Sequence, residues 1–232
     1  MSGSGPASRY SPIEAWYEAC ATSRQALDGM SLAQTLHATV PAGTDVRLWD
    51  LSWRRRFGCK GPGAPAWLAS LGLKVPEAPN SFVASDGVIV ARLATSEFLV
   101  ESLGDRAGFV EQARRSLTTA LCPPGVYPVA RFDFVIGLGG PATVDLLRQT
   151  CSVDFAPVLA AAQPGEGQVI YTSMIGVGVL ALALQTSSGP QLNVWCDPSF
   201  AHYFWTTLLE VGNDLGGGVA IDGLSSLPGG AK

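Results

Sequence analysis

The feature that most limits how this chain can fold is a corner that occurs twice. In RFGCKGPGAPAWL, Arg56 to Leu68, and IGLGGPATVDLL, Ile136 to Leu147, four residues of the first copy align without a gap on four of the second. Gly58, Gly61, Pro62 and Leu68 match Gly137, Gly140, Pro141 and Leu147. Each copy follows an apolar strand-like run and opens an apolar helical pattern. A spacing of 79 residues is too long for a solenoid repeat and predicts a duplicated strand-turn-helix unit.

A glycine-rich turn before a helix also suits a phosphate, because free backbone N–H groups and the positive helix end face an anion there. The spacing argues against that reading. A Walker loop closes on Gly-Lys-Ser/Thr, and a dinucleotide fingerprint sets its glycines in a fixed rhythm after a buried strand. Here Lys60 precedes the Gly61-Pro62 pair, and no Ser or Thr stands where a metal ligand is wanted. The corner reads as a strand-to-helix turn with Pro62 or Pro65 in the first helical turn, where a missing N–H costs nothing.

Composition narrows the function classes. Charged residues make up 15% and apolar ones 47% of 232 residues, which suits a well-buried or partner-covered protein. Net charge is −4 and the basic residues are spread thinly, so the footprint of a nucleic-acid binder is missing. No apolar run reaches the roughly 18 residues of a membrane span. The start, MSGSGPASRYSP, lacks an export pattern. Five widely spaced cysteines, with no C-x-x-C, read as reduced thiols, and a cytoplasmic location is expected.

Along the chain, residues 1–12 read as a disordered tail, and 13–44 as a helical arm with Ser11 as N-cap and Pro12 at its first position. A first repeat is expected over 45–125, a second over 126–216, and a flexible tail over 217–232. Within the first, a strand leads into the corner and a helix runs to Gly72. KVPEAPN is a loop, VIVARL and EFLVES form a hairpin, and Asp105 to Leu121 is a helix. The second repeat runs through a strand to Leu138, the corner, a helix over 142–150 and strands near 169–175, 177–184 and 191–196. Asp197 then caps a last helix that stops at Gly212.

Three stretches, WDLSWRRRFGCKGPGAPAWLASLGLKVPEAPN, VARLATSEFLVE and CDPSFAHYFWTTLLE, resemble the small gamma subunit of heterotetrameric sarcosine oxidase. Through it the chain resembles the folate-dependent aminomethyltransferases of glycine cleavage. The likeness covers about Asp45 to Leu215. It implies an α+β fold of duplicated strand-helix-strand units with mixed or antiparallel sheets, as in the aminomethyltransferase folate-binding domain.

The same resemblance separates scaffold from chemistry. Catalytic members carry an acid in a G-x-x-D-D-like stretch, which would fall on Asp86-Gly87-Val88-Ile89-Val90-Ala91-Arg92; no carboxylate follows Gly87 there, and Asp86 reads as a turn residue. A T-G-E-x-G-like run would fall on Thr172-Ser173-Met174-Ile175-Gly176-Val177-Gly178, and it lacks the Glu. Proton transfer needs a titratable group within reach, and neither stretch supplies one.

Two expectations follow. The first is a non-catalytic, gamma-like accessory subunit, docked on larger flavin-containing oxidoreductase subunits. In it this chain holds no cofactor, FAD, NAD and folate sit on the partners, and the complex demethylates an amine such as sarcosine. The second is a stand-alone tetrahydrofolate-binding protein or small demethylase, with Arg54 or Arg56 holding the glutamate tail and Glu97 as substitute acid. On a strand, Arg54 and Arg56 share one face and Arg55 takes the other. No catalytic or metal-binding residue is assigned. The two histidines, His37 and His202, do not make a metal site, and Cys151 and Cys196 show no neighbouring base in sequence. Ser173 and Ser199 lack an elbow context. Phe200, Tyr203, Phe204 and Trp205 form an aromatic helix face, read as core or, where exposed, as interface.

Overall fold

A computed structural model describes residues 9–36, 45–104, 106–117, 122–187, 189–215 and 219–220. In chain order its elements are β1 (Arg9–Tyr10), α1 (Glu14–Cys20), β2 (Ala21–Leu27), β3 (Met30–Leu36), β4 (Val46–Asp50), β5 (Arg56–Lys60) and α2 (Ala64–Ser70). There follow β6 (Ser81–Ser85), β7 (Val88–Arg92), β8 (Glu97–Ser102), α3 (Ala107–Ser116), β9 (Tyr127–Val129) and β10 (Phe134–Gly139). The remainder comprises α4 (Thr143–Thr150), α5 (Ala156–Ala160), β11 (Glu166–Met174), β12 (Val177–Thr186), β13 (Gly189–Cys196), α6 (Ala201–Asp214) and β14 (Val219–Ala220). The class is α+β, with antiparallel pairing throughout the main ladders, as expected.

The chain forms two compact units and passes between them more than once. Unit one holds residues 1–53, 133–161 and 171–232, and unit two holds 54–132 and 162–170. In unit two the strand order is β6-β7-β8-β5-β9, and in unit one it is β11-β12-β13-β10-β4, with β14 beyond β4; β11 itself is divided, its residues up to Ile170 in unit two and the rest in unit one. These orders are the same once β5 is matched to β10. The preceding strands have changed places: β4 leads into β5 but pairs with β10, while β9 leads into β10 but pairs with β5.

The two corners share one construction. Gly61 has φ +115° and Gly140 φ +106°, a left-handed region open to glycine. A Cβ on Gly61 would lie 2.2 Å from the Gly125 carbonyl oxygen, and one on Gly140 would lie 2.5 Å from that of Asp45. Those same carbonyls accept from the Gly63 N–H at 3.0 Å and the Ala142 N–H at 2.8 Å, so each corner is tied to the residue just before its exchanged strand. The glycines are there because backbone occupies the space a side chain would need.

Each sheet then covers one face with helices. In unit two, Phe57, Cys59, Val88, Val90, Phe98 and Val100 from the strands meet Leu68 of α2 and Val110 and Ala113 of α3. In unit one, α6 buries Ala201, Phe204, Trp205, Leu208 and Gly212, a stripe of helical period. Trp205 packs edge-on to Trp16 at 5.4 Å and Phe134 at 6.3 Å. Burying side chains of this size contributes about 1.5–3 kcal/mol each.

Several local expectations change. Among the described residues the arm expected over 13–44 is helical only in α1; β2 and β3 form an antiparallel pair after it, with left-handed Asp28 and Gly29 at their turn. The helix begins at Glu14, and Ser11 instead accepts from the Ile13 N–H at 3.2 Å. Parts of both tails are ordered, since β1 pairs with β3 and β14 with β4. Helix α6 runs through Gly212 to Asp214, while Asp197 does cap its approach, accepting from the Ser199 N–H at 2.8 Å. His37 and the end of the helix expected over 105–121 lie outside the described residues. Among the described residues no helix is long and apolar enough to cross a membrane.

Candidate functional site

Strand β5 opens the most highly charged part of unit two. Register places Arg56 directly opposite Glu101 of β8, and directly opposed opposite charges interact across a ladder. Glu101 is 0% exposed. Its Oε2 lies 2.9 Å from Arg56 Nε and its Oε1 3.5 Å from Arg54 Nη1. Burial pushes the Arg54 guanidinium below its ordinary value, and the Glu101 charge opposes that shift. Strand β5 begins only at Arg56, so Arg54 and Arg55 precede the strand on which alternation was expected; Arg54 and Arg56 nevertheless meet one carboxylate while Arg55 reaches a different one, Glu111, at 4.0 Å.

Glu111 lies on α3 and also receives Arg114 at 2.7 Å and Arg115 at 2.9 Å. Its pKa is lowered to about 2, first by the hydrogen bond from Arg114. Glu97, the expected substitute acid, lies two residues before Leu99 in β8, away from the Arg54–Arg56 pair, with Arg131 Nη2 at 2.7 Å. The structure therefore joins Arg54 to Arg56 and leaves Glu97 with another arginine.

A cleft of about 350 Å³ opens beside this cluster. Arg56, Arg114 and Arg131 supply its polar lining, and Phe57, Leu117, Val129 and Phe132 its apolar walls. Among the described residues no carboxylate, histidine or cysteine lines it. Guanidinium groups stay protonated near neutral pH, so this lining can hold a negative charge but has no proton to exchange.

Unit one carries a second polar cluster, around Asp50 at the end of β4. Ser11 donates to its Oδ2, Tyr17 donates to the same oxygen at 3.1 Å, and the Ser52 N–H donates to Oδ1 at 2.8 Å. Burial raises the Asp50 pKa against the pull of those hydrogen bonds, and burial followed by the Asp50 charge raises that of Tyr17. The cluster ties the N-terminal segment to the sheet.

Sequence reasoning missed Glu101 and Asp50. A usable signal existed for the first: EFLVES places an acid within a buried strand two residues after Leu99, and a buried acid requires a cation across the ladder. Other candidates have plain outcomes. Burial, then Asp133, pushes the Cys196 thiol up to about 12, which removes thiolate at neutral pH. Cys151 Sγ lies 3.6 Å from Thr172 Oγ1, a hydroxyl that is no base. Among the described residues no group of three or more His, Cys, Asp or Glu can hold a metal.

Both stretches set against the family motifs contain a hairpin turn of one kind. Asp86-Gly87 has φ +50° and +74°, and Ile175-Gly176 has φ +45° and +80°. Asp86 is the turn residue it was expected to be. Ile175 is β-branched, which makes its left-handed backbone costly, and Tyr203 on α6 donates to its carbonyl at 3.0 Å.

Sheet order, corner geometry and helix placement define an α+β fold of the aminomethyltransferase type. The chain superposes on one of heterotetrameric sarcosine oxidase from Corynebacterium sp. U-96, in a complex with pyrrole 2-carboxylate. That match has 19% identity and a TM-score of 0.64, covering 92% of this chain and 99% of the other. It also superposes on glycine cleavage system aminomethyltransferase T from Bartonella henselae, with 17% identity and a TM-score of 0.63, over 94% of this chain but 60% of that enzyme. No protein-family model matches the sequence, and no curated protein is significantly similar to it.

Proposed function

We propose that this chain is a non-catalytic, gamma-like accessory subunit of a multi-subunit N-methyl amine oxidase of the sarcosine oxidase kind. The observation that carries the reading is the match in extent: the superposition takes in 99% of a chain from a heterotetramer, against 60% of the single-chain aminomethyltransferase. Site chemistry supports it. The cleft is lined by arginine and apolar groups, and Glu101 and Asp50 are buried among donors that hold them. In this reading FAD, NAD and tetrahydrofolate are bound by partner subunits, which do the oxidation. The rival reading, a stand-alone folate protein, asks Arg54 or Arg56 to grip a glutamate tail, and both converge on Glu101 instead.

The test is co-purification of the tagged full chain from its native host, with mass analysis of what stays bound and an assay for sarcosine oxidation. Larger flavin-containing subunits in fixed stoichiometry are expected, with activity in the complex and none in the isolated chain. Turnover of an N-methyl amine by the chain alone, with tetrahydrofolate bound at micromolar concentration, would overturn the proposal.

A further inference from the structure

We infer that the arginine-lined cleft of unit two is a docking groove for an acidic, apolar-flanked segment of a larger partner subunit, an inference that rests on the accessory-subunit reading. Charge carries the first step. Unit two contains ten basic residues against seven acidic ones, in a chain whose net charge is −4. Six of the ten basic residues gather in and around the cleft, and Arg56, Arg114 and Arg131 line it. There, Glu101 faces Arg54 and Arg56, Glu111 faces Arg55, Arg114 and Arg115, and Glu97 faces Arg131. Six guanidiniums share three carboxylates in these ion pairs, and none of the three lines the cleft.

Local construction carries the second step. A Cβ on Gly58 would lie 2.9 Å from Val129 Cβ and 3.0 Å from Arg131 Nε, so the bare glycine lets Arg131 lie across the strand. Arg131 Nε is buried with no hydrogen-bond partner, while Nη2 is held by Glu97. The cleft wall thus contains a guanidinium held in place by Glu97 and by packing over Gly58, a group suited to a carboxylate.

The surrounding surface favours a protein over a small acid. Phe132 at the mouth is 80% exposed, and Tyr127, outside the cleft lining on the same sheet-edge segment, is 57% exposed. A molecule that fills 350 Å³ leaves Tyr127 in water, whereas a polypeptide laid along β9 covers both rings. Arginine and aromatic residues are the types enriched at the energetic centre of protein interfaces.

The experiment uses the full chain and the larger subunits that co-purify with it. Arg114→Glu and Phe132→Ser change exposed side chains, and an unchanged unfolding midpoint establishes that each variant folds. Expected are an affinity loss of about tenfold or more for each, with association by Arg114→Glu slower and less sensitive to salt. Wild-type affinity in both folded variants overturns the inference while leaving the accessory role intact. If the wild-type chain retains no larger subunit, the accessory reading fails and takes this inference with it. Competition by millimolar glutarate, used as a free dicarboxylate probe, or a homodimer abolished by Phe132→Ser, would also overturn it by naming a different occupant.

Discussion

Replacing Glu101 with Gln should be among the most damaging single changes in unit two. The substitution keeps the shape and removes the charge, leaving the Arg54 and Arg56 guanidiniums, 3.5 and 2.9 Å away, facing one another without their buried counter-ion. Both arginine side chains are nearly sealed from solvent, so water cannot take over the role of the carboxylate. Breaking a buried pair by removing one partner costs about 3–5 kcal/mol. For a chain of this length each kcal/mol moves the unfolding midpoint by about 2–4 °C, which gives a fall of about 6–20 °C. Differential scanning calorimetry measures this directly. A companion triple variant, Glu101→Leu with Arg54→Met and Arg56→Met, removes all three charges together and should recover most of the loss, because apolar replacement of a whole buried ion group is often neutral or stabilising. A Glu101→Gln midpoint within 2 °C of wild type (about 1 kcal/mol or less), or a triple variant worse than the single one, would refute the counter-ion role.

Three other perturbations test separate parts of the structure. Burial holds Asp50 above its ordinary 3.8, so the native state binds that proton more tightly than the unfolded chain. Its contribution to stability is complete below pH 3.8 and drains away as pH climbs through the raised native value; urea titrations from pH 4 to 7 should show this fall in wild type and not in Asp50→Asn. At the corner, Gly61→Ala puts a methyl 2.2 Å from a carbonyl oxygen and should cost several kcal/mol. Gly72→Ala, at φ +78° with open space around it, should cost only the backbone penalty of about 1–2 kcal/mol; equal midpoints for the two would remove the steric account. Ile175→Asn relieves a β-branched residue at φ +45° and should raise stability by about 1 kcal/mol in chemical denaturation, and a loss would show that the isoleucine side chain matters more than its backbone.

What could be read from sequence divides along a physical line. The corners were legible because Gly61-Pro62 and Gly140-Pro141 meet a backbone requirement that few residues satisfy, and β7, β8, β12 and β13 because strand pattern and turn residues agree in them. The β2–β3 pair was missed because ATSRQAL and MSLAQTL mix polar and apolar residues without a strong period, and tertiary pairing decides their state. Strand β6 was lost although it pairs with β7 across the Asp86-Gly87 turn, because SFVAS is short and mixes Ser with apolar residues, which makes a weak strand pattern. The candidate site was half legible: the Arg54-Arg55-Arg56 run stood out as the densest basic patch, but Arg54 and Arg55 lie before β5, the convergence on Glu101 depends on register, and the cleft depends on Arg131, 75 residues beyond Arg56.

The exchange of β4 and β9 explains why the duplication is easier to see in sequence than to cut into domains. A division after residue 125 keeps Gly125 with the first corner, but it severs Asp45 from the second corner its carbonyl stabilises and parts β9 from β5 and β4 from β10. Each copy of the strand-corner-helix motif is completed by the strand that leads into the other copy. Neither sheet keeps its exchanged strand if the chain is halved, so the two halves expressed apart should fail to fold while the whole chain succeeds. The constraint also bears on the cleft. Its walls combine β5, which begins one copy, with Pro128 to Phe132, which lead into the next, so the groove exists only because the copies are interleaved. The arginines and aromatics that the described residues present in this groove therefore depend on strand exchange.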